Sequence, residues 1–372
     1  MHGTALALAD GGGGKSLAEL RRHPVSGEWV VICPETNGLA GTNGGNGCIY
    51  CPGHESETGP EIQRKNRGGD STPSGWRVRV VAESPPLFHI EGEFFKKAAG
   101  LCDRMEAIGA HEVLVESPDH HSEFEDLDPG QILDVLEILS QRARDLGEDP
   151  RLRQVLISKI RQSNGDIPYA PAGEDPEGAG PAGAGPGAHK AEHPRWHIVS
   201  TPFVPAQMKD ELKGSARYFS YKERCVFCDY ILQEKEAASR VICQNERAVA
   251  ISPYAACLPY ETWVLPFTHL PDFGRAASAD LAGIAPILKN LAGAMMKIEG
   301  SRGYIIEVHT APFRKPKSGA WKTIDQDYHW HLKVRPRLKV LNGLKETGRF
   351  HLNPILPEEA ARALAARCSD RP

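Results

Sequence analysis

The sequence predicts an α+β protein of two domains in tandem, each with a mainly antiparallel sheet, helices on one side and a metal site. Three observations carry this. A set of two cysteines followed by two histidines occurs twice, in the same order, once in each half. Short β-branched or alternating runs recur along the chain, with few long helical patterns between them. No glycine-rich dinucleotide turn follows any of the strand-like runs, which sets aside a doubly wound parallel sheet.

Residues 1–16 are glycine-rich with no periodicity and are expected to be disordered. Glu28–Ile32 is apolar and β-branched, hence a strand. Trp76–Val81 alternates polar and apolar, hence a strand with one wet face. His111–Glu116 is a further strand, stopped by Ser117-Pro118-Asp119. Asp128–Leu146 has Ile132, Leu133, Val135, Leu136 and Leu139 at helical spacing, with Asp128 placed to cap it. Val155–Ile160 is again strand-like. Residues 165–192 are rich in Gly, Pro and Ala, a flexible insertion between two strands of the first domain. After the amphipathic stretch Ala206–Lys222 the order repeats: Cys225 and Cys228, strands at Ala248–Ile251 and Thr262–Leu265, a helix over Ala279–Glu299, then strands at Tyr304–Val308 and His329–Val334. The expected division is therefore 17–222 and 223–372.

Composition narrows the function classes. With 44 basic and 48 acidic residues spread along 372, the chain has no footprint for duplex nucleic acid and no basic tail for a membrane surface. No apolar run approaches the ~20 residues of a spanning helix, and the N-terminus lacks a secretion pattern, so a soluble cytoplasmic protein is expected. Nine cysteines, an odd number with four of them in two CxxC pairs, do not read as a disulfide framework. Cys33, Cys102, Cys243, Cys257 and Cys368 stand alone and read as small buried apolar residues.

The repeated set is Cys48, Cys51, His120 and His193 in the first half, and Cys225, Cys228, His269 and His329 in the second. Two residues between the cysteines let one turn present both sulfurs, and Cys₂His₂ is a normal tetrahedral zinc site. Four protein ligands leave no open position, so zinc in either site would be structural. His54 and His121 lie near the first set, and His309 and His331 near the second, as alternative ligands. Neither CxxC shows the context of a redox pair opening a helix. Side chains alternate along a strand. His193, Arg195 and His197 therefore share one face, as do His329, His331, Lys333 and Arg335. A strand anchored by a metal at its first histidine would hold the next residues rigidly enough to aim an imidazole at phosphorus, with basic neighbours for its oxygens. Trp196 and Trp330 read as packing residues.

Ordered matches over roughly residues 17–365 make the chain resemble the galactose-1-phosphate uridylyltransferase family, in the branch that includes ADP-glucose phosphorylase. They include Leu20–Val30 (LRRHPVSGEWV), Cys48–Cys51, Trp76–Val81, Gly109–Val113, Ser117–His120, Cys225–Asp229, Pro259–Pro266, His309–Phe313, Tyr328–His331 and Asn353–Ala360. The resemblance implies tandem histidine-triad-like domains, commonly in a homodimer, and a role in galactose and carbohydrate metabolism. It also implies substrates that are a sugar nucleotide and a sugar phosphate. In the implied reaction a histidine attacks the α-phosphorus and carries a nucleoside monophosphate to a second phosphate.

The motif that supplies that histidine departs from the pattern. The family reads His-Pro-His-x-Gln; here it is His193-Pro194-Arg195-Trp196-His197, with Arg195 in the nucleophile's place. Arginine stays protonated and cannot attack phosphorus. The Gly-Ala-Ser turn ahead of the motif is replaced by the 165–192 insertion, and the Asn-Lys-Phe-Pro stretch by Glu83-Ser84-Pro85-Pro86. Three readings follow: His197 acts as a relocated nucleophile about 6–7 Å along the strand, His331 acts in the second domain, or the chain binds a phosphorylated ligand or a partner without transfer.

Overall fold

The structure is a computed structural model that describes residues 18–33, 47–92, 97–100, 102–162, 193–314, 321–338 and 351–369. The N-terminal residues 1–16 and the insertion 165–192, both expected to lack structure, lie outside the described residues. The first half contains β1 (Glu19–Arg22), β2 (Trp29–Ile32), β3 (Glu61–Asn66), β4 (Trp76–Ala82), β5 (Lys97–Ala99), β6 (Cys102–Glu106) and β7 (Ala110–Val115). Helix α1 (Pro129–Gly147), β8 (Gln154–Gln162) and β9 (Arg195–Thr201) follow. Then come α2 (Ala206–Lys222), α3 (Val226–Ala237), β10 (Val241–Gln244), β11 (Ala248–Ile251), β12 (Thr262–Pro266) and α4 (Ser278–Met296). The chain ends with β13 (Ser301–His309), α5 (Ile324–Asp327), β14 (His331–Leu338) and α6 (Pro357–Ser369).

Ten strands form one antiparallel sheet in the order β10-β11-β12-β14-β13-β8-β9-β7-β4-β3. Read from either edge inward, each half lays down its own strands as first, second, third, fifth, fourth, and each inserts one 19-residue helix between its third and fourth strands. The sequence predicts a separate sheet for each half. Instead β8 and β13 pair edge to edge from Ile157↔Val308 to Gln162↔Gly303, which satisfies backbone groups that two separate sheets would leave open. Gly303, at φ +127°, permits this approach, because a Cβ there would collide with the Arg161 carbonyl oxygen. A second sheet, β2-β1-β6-β5, packs Leu20, Phe88 and Met105 beside the first half. Of its strands only β2 was legible, in the Glu28–Ile32 run; β1, β5 and β6 gave no sequence pattern of their own.

Helices α1, α4 and α6 cover one face of the large sheet, but α2 and α3 pack on the other face of its second half, against Val249, Ile251 and Leu265, so the helices do not all lie on one side as the sequence predicts. Asp128 caps α1 by accepting from the Gln131 N–H at 2.9 Å, as its sequence position implies. Ile132, Val135, Leu136 and Leu139 of α1, with Ile284, Leu288 and Leu291 of α4, pack against Val78, Leu114, Ile198, Val264, Ile306 and Leu332 from the strands. Trp196 and Trp330 belong to this core, edge-on to Phe124 and Phe273. Two expectations need correction. The polar face of β4 is not wet throughout: Arg79 is buried and pairs with Glu61 at 2.7 Å. Cys102 and Cys257 are exposed rather than buried.

Below that face lies a buried ion pair, Lys159 Nζ to Glu116 Oε1 at 2.8 Å, with the Trp196 indole donating to Glu116 Oε2 at 2.8 Å. Truncating one partner would leave the other charge without compensation. Glu116→Ala is therefore expected to cost about 3–5 kcal/mol in urea unfolding; a loss below about 1 kcal/mol would contradict this role for the pair.

Candidate functional site

Both predicted ligand sets assemble. Cys48 and Cys51 lie on a turn closed by the Cys51 N–H to Cys48 carbonyl bond at 3.1 Å. His120 follows β7, and His193 stands two residues before β9. The His193 Nδ1 is 3.6 Å from Cys48 Sγ and 3.7 Å from Cys51 Sγ, and the His120 Nδ1 is 3.5 Å from Cys51 Sγ. In the second half the Cys228 Sγ is 3.3 Å from His269 Nδ1 and 3.6 Å from His329 Nδ1, with Cys225 in the same cluster.

Tetrahedral zinc with bonds of ~2.3 Å to sulfur and ~2.05 Å to nitrogen separates S and N ligands by about 3.6 Å, so the residues present fit that ion. His193 Nε2–H donates to the Ser117 carbonyl at 2.7 Å, and His269 Nε2–H to the Asp325 carbonyl at 3.0 Å. Each such bond leaves Nδ1 with a lone pair aimed at the sulfurs. One expectation fails here: the second CxxC does open a helix, since Cys225 is the N-cap of α3 and Cys228 lies in its first turn. The two histidines beside it, not the helix context, distinguish it from a redox pair.

Beyond His193, β9 carries Arg195 and His197 into a first pocket. The Arg195 guanidinium lies 5.5 Å from the Tyr50 ring centre, and Tyr50 O–H donates to Glu83 at 3.4 Å. His111, on neighbouring β7, places Nε2 3.3 Å from His197 Nδ1, and its own Nδ1 accepts from the Leu87 N–H at 3.3 Å. Burial, reinforced by Arg195, pulls His111 down to about 4 and His197 to about 3, so both are neutral at pH 7. Burial and Glu83 push the Tyr50 hydroxyl up.

Beyond His329, β14 carries His331 and Lys333 into a second pocket, and this one is closed. His331 is fully buried, stacked on His309 at 4.9 Å and flanked by Phe227 and Trp263. Its Nδ1–H donates to the His329 carbonyl at 3.0 Å, and its Nε2 lies 3.1 Å from Glu211 of α2. Glu211 also meets His309 Nδ1 at 2.9 Å and Lys333 Nζ at 3.3 Å. Burial opposes the Glu211 carboxylate, but these cationic and donor neighbours outweigh it and hold it well below the usual carboxylate range. Glu211, His309 and His331 have the donor types of a metal site; the Lys333 ammonium already supplies positive charge there.

Residues 211–365 match the model of the galactose-1-phosphate uridyl transferase C-terminal domain. ADP-glucose phosphorylase of Arabidopsis thaliana is 25% identical over 370 residues, 95% of each chain. Galactose-1-phosphate uridylyltransferase of Thermotoga maritima is 23% identical over 357 residues, 94% of this chain and 98% of that one. This chain is a homologue of the galactose-1-phosphate uridylyltransferases and ADP-glucose phosphorylase. A solved uridylyltransferase shares the fold, with a TM-score of 0.70 at 22% identity over 94% of this chain and 98% of that one. So does the Arabidopsis ADP-glucose phosphorylase solved with bound ADP-glucose, with a TM-score of 0.66 at 23% identity and the same coverage.

Against these uridylyltransferase relatives, the structure brings His193, Arg195 and His197 onto one strand and His329, His331 and Lys333 onto its counterpart. The β8–β13 junction separates the two pockets, so Arg195 and His331 do not meet. Sequence reasoning missed Tyr50 and His111 in the first pocket and Glu211 in the second. His111 was legible as a strand residue, but its position beside His197 depends on the β7–β9 register, which only the fold supplies. Glu211 gave no signal beyond lying in an amphipathic helix.

Below the ordinary imidazole value of 6.5 an unfolded chain binds protons that folded His111 and His197 refuse. Their contribution is thus complete above about pH 6.5 and is lost as pH falls toward 4 and 3, at up to about 1.4 kcal/mol per unit per histidine. His197→Gln is expected to flatten the fall in unfolding free energy from pH 7 to 5 by about that slope; identical slopes in the variant and the wild type would contradict it.

Proposed function

We propose that this chain moves a nucleoside monophosphate between a sugar nucleotide and a phosphate or sugar 1-phosphate, through a histidine, as its homologues' names imply for them. That role lies in galactose or related carbohydrate metabolism. We further propose two histidine-triad-like domains, 17–222 and 223–372, with α2 lent to the second pocket, where Met208 and Leu212 pack beside Cys225 and Phe227. Each domain would hold one structural zinc, in a cytoplasmic homodimer. Among the described residues no helix is long and apolar enough to cross a membrane.

The observation that carries the choice of histidine is the His331 geometry. Its Nδ1–H is fixed on the His329 carbonyl, so the ring's lone pair is on Nε2, the reacting nitrogen, with Glu211 of α2 beside it. Nε2 then attacks the α-phosphorus, and the sugar 1-phosphate leaves with the electrons of the broken P–O bond. The second phosphate reverses the step and frees His331. Because His331 is fully buried, α2 must withdraw before the nucleotide enters.

The same burial, together with Arg195 in the first pocket, favours a second reading: a zinc-containing homologue that binds a phosphorylated ligand without transfer. Intact-mass spectra after incubation with UDP-glucose, ADP-glucose and GDP-mannose in turn separate the two. Transfer predicts a nucleoside-monophosphate adduct with one donor, absent from His331→Gln of unchanged melting temperature and metal content. Bound nucleotide with neither adduct nor turnover would establish the second reading.

A further inference from the structure

Outside both pockets, two cysteines that stand alone in the sequence meet in the structure. On α6, Ala361, Leu364, Ala365 and Cys368 recur at three- and four-residue spacing and form one stripe. Ala361 and Leu364 are buried in the main core, and Ala365 and Cys368 pack against it. The helix lays this stripe on α4 and on β10. β10 is an edge strand of the large sheet, and its register slips between Val241 and Cys243. In an unbroken strand Ile242 and Cys243 would face opposite sides; the bulge lets both reach the same core. Cys243 thereby meets Cys368, with a hydrogen bond between the two thiol side chains. At its other end α6 is held by Glu358, which accepts at 2.7 Å from Arg240, the residue before β10.

We propose that Cys243 and Cys368 form a redox-operated clamp, which a small-molecule disulfide such as oxidised glutathione closes to a disulfide bond and thiols reopen. Cys243 lies on the strand beneath the helix, whereas Cys368 is half-buried near the helix end and is the sulfur that meets the oxidant first. Hydrogen bonding to Cys368, and then burial, pushes the Cys243 thiol up, which keeps it protonated until its partner has reacted. The Cys368 sulfur attacks one sulfur of the small disulfide, and the other leaves as a thiolate that takes up the Cys368 proton. Cys243 then loses its proton to the second leaving sulfur as its own sulfur attacks Cys368 and expels that group. Two electrons pass from the cysteines to the small disulfide, which ends as two thiols. Closed, the bond ties α6 to the sheet edge and restricts the unfolded chain between the two residues. Open, the helix is free to fray from its C-terminal end and uncover an edge strand. In a reducing compartment the bond forms under oxidant and is reversed afterwards, so the pair is a switch and not a permanent staple.

The clamp does not depend on what either pocket binds. The test uses the full chain with its metals, incubated with excess oxidised glutathione and then digested without reduction. Mass mapping is expected to show one new cross-linked peptide pair, Cys243 to Cys368, with two fewer thiols per chain and unchanged zinc content. The oxidised chain should melt roughly 3 °C or more above the reduced one. It should also exchange amide hydrogens more slowly over residues 357–368, and dithiothreitol should restore the reduced values. Cys368→Ser should keep the melting temperature of the reduced chain and lose both effects of the oxidant. Stable glutathione adducts on Cys368 without a cross-link, pairing within the CxxC motifs with loss of zinc, or a cross-linked chain that melts and exchanges like the reduced one would each overturn the proposal. The wild-type map alone decides whether the bond forms, whatever the variant's stability.

Discussion

Each of the two strands that reach a pocket begins beside a histidine whose Nδ1 faces a pair of cysteine sulfurs, and the position of every other functional group follows from that attachment. A free strand end frays; an end held by two thiolates and two imidazoles does not. With zinc bound there, His193 and His329 would fix the next residues of β9 and β14 in register and orientation. Residues two and four positions on can only point into the space above the sheet. Whatever those positions carry becomes the chemistry of that half.

The two halves have filled these equivalent positions differently. In the second half they hold His331 and Lys333, sealed beneath Glu211 of α2 and stacked among aromatic rings. In the first they hold Arg195 and His197, beside Tyr50 and Glu83, with His111 behind. One is a closed, charged cluster around an oriented imidazole, and the other sets a permanent cation beside two neutral histidines. A single scaffold thus presents two different sets of groups at equivalent positions. The continuous sheet holds the two apart, because β8 and β13 stand between them.

Much of this was legible in the sequence, for identifiable reasons. The CxxC pairs and downstream histidines carry their spacing with them, and the core helices announce themselves through periodicity and, for α1, the Asp128 cap. Arg195 could be recognised as a departure because the motif around it is intact. What the sequence hid depends on register and tertiary contact. The β8–β13 junction needs Gly303 to approach Arg161, and neither residue signals it alone. Arg79 looked solvated until Glu61 was placed opposite it. His197 meets His111, which in turn accepts from the Leu87 N–H, groups more than eighty residues away in the chain.

The central claim is that paired Cys₂His₂ zinc sites hold the two strands, and X-ray absorption at the zinc edge of freshly purified protein tests it most directly. The account predicts two zinc ions per chain, each with two sulfur and two nitrogen neighbours at about 2.3 and 2.05 Å. A folded protein without zinc, or with its metal bound mainly through oxygen, would contradict it.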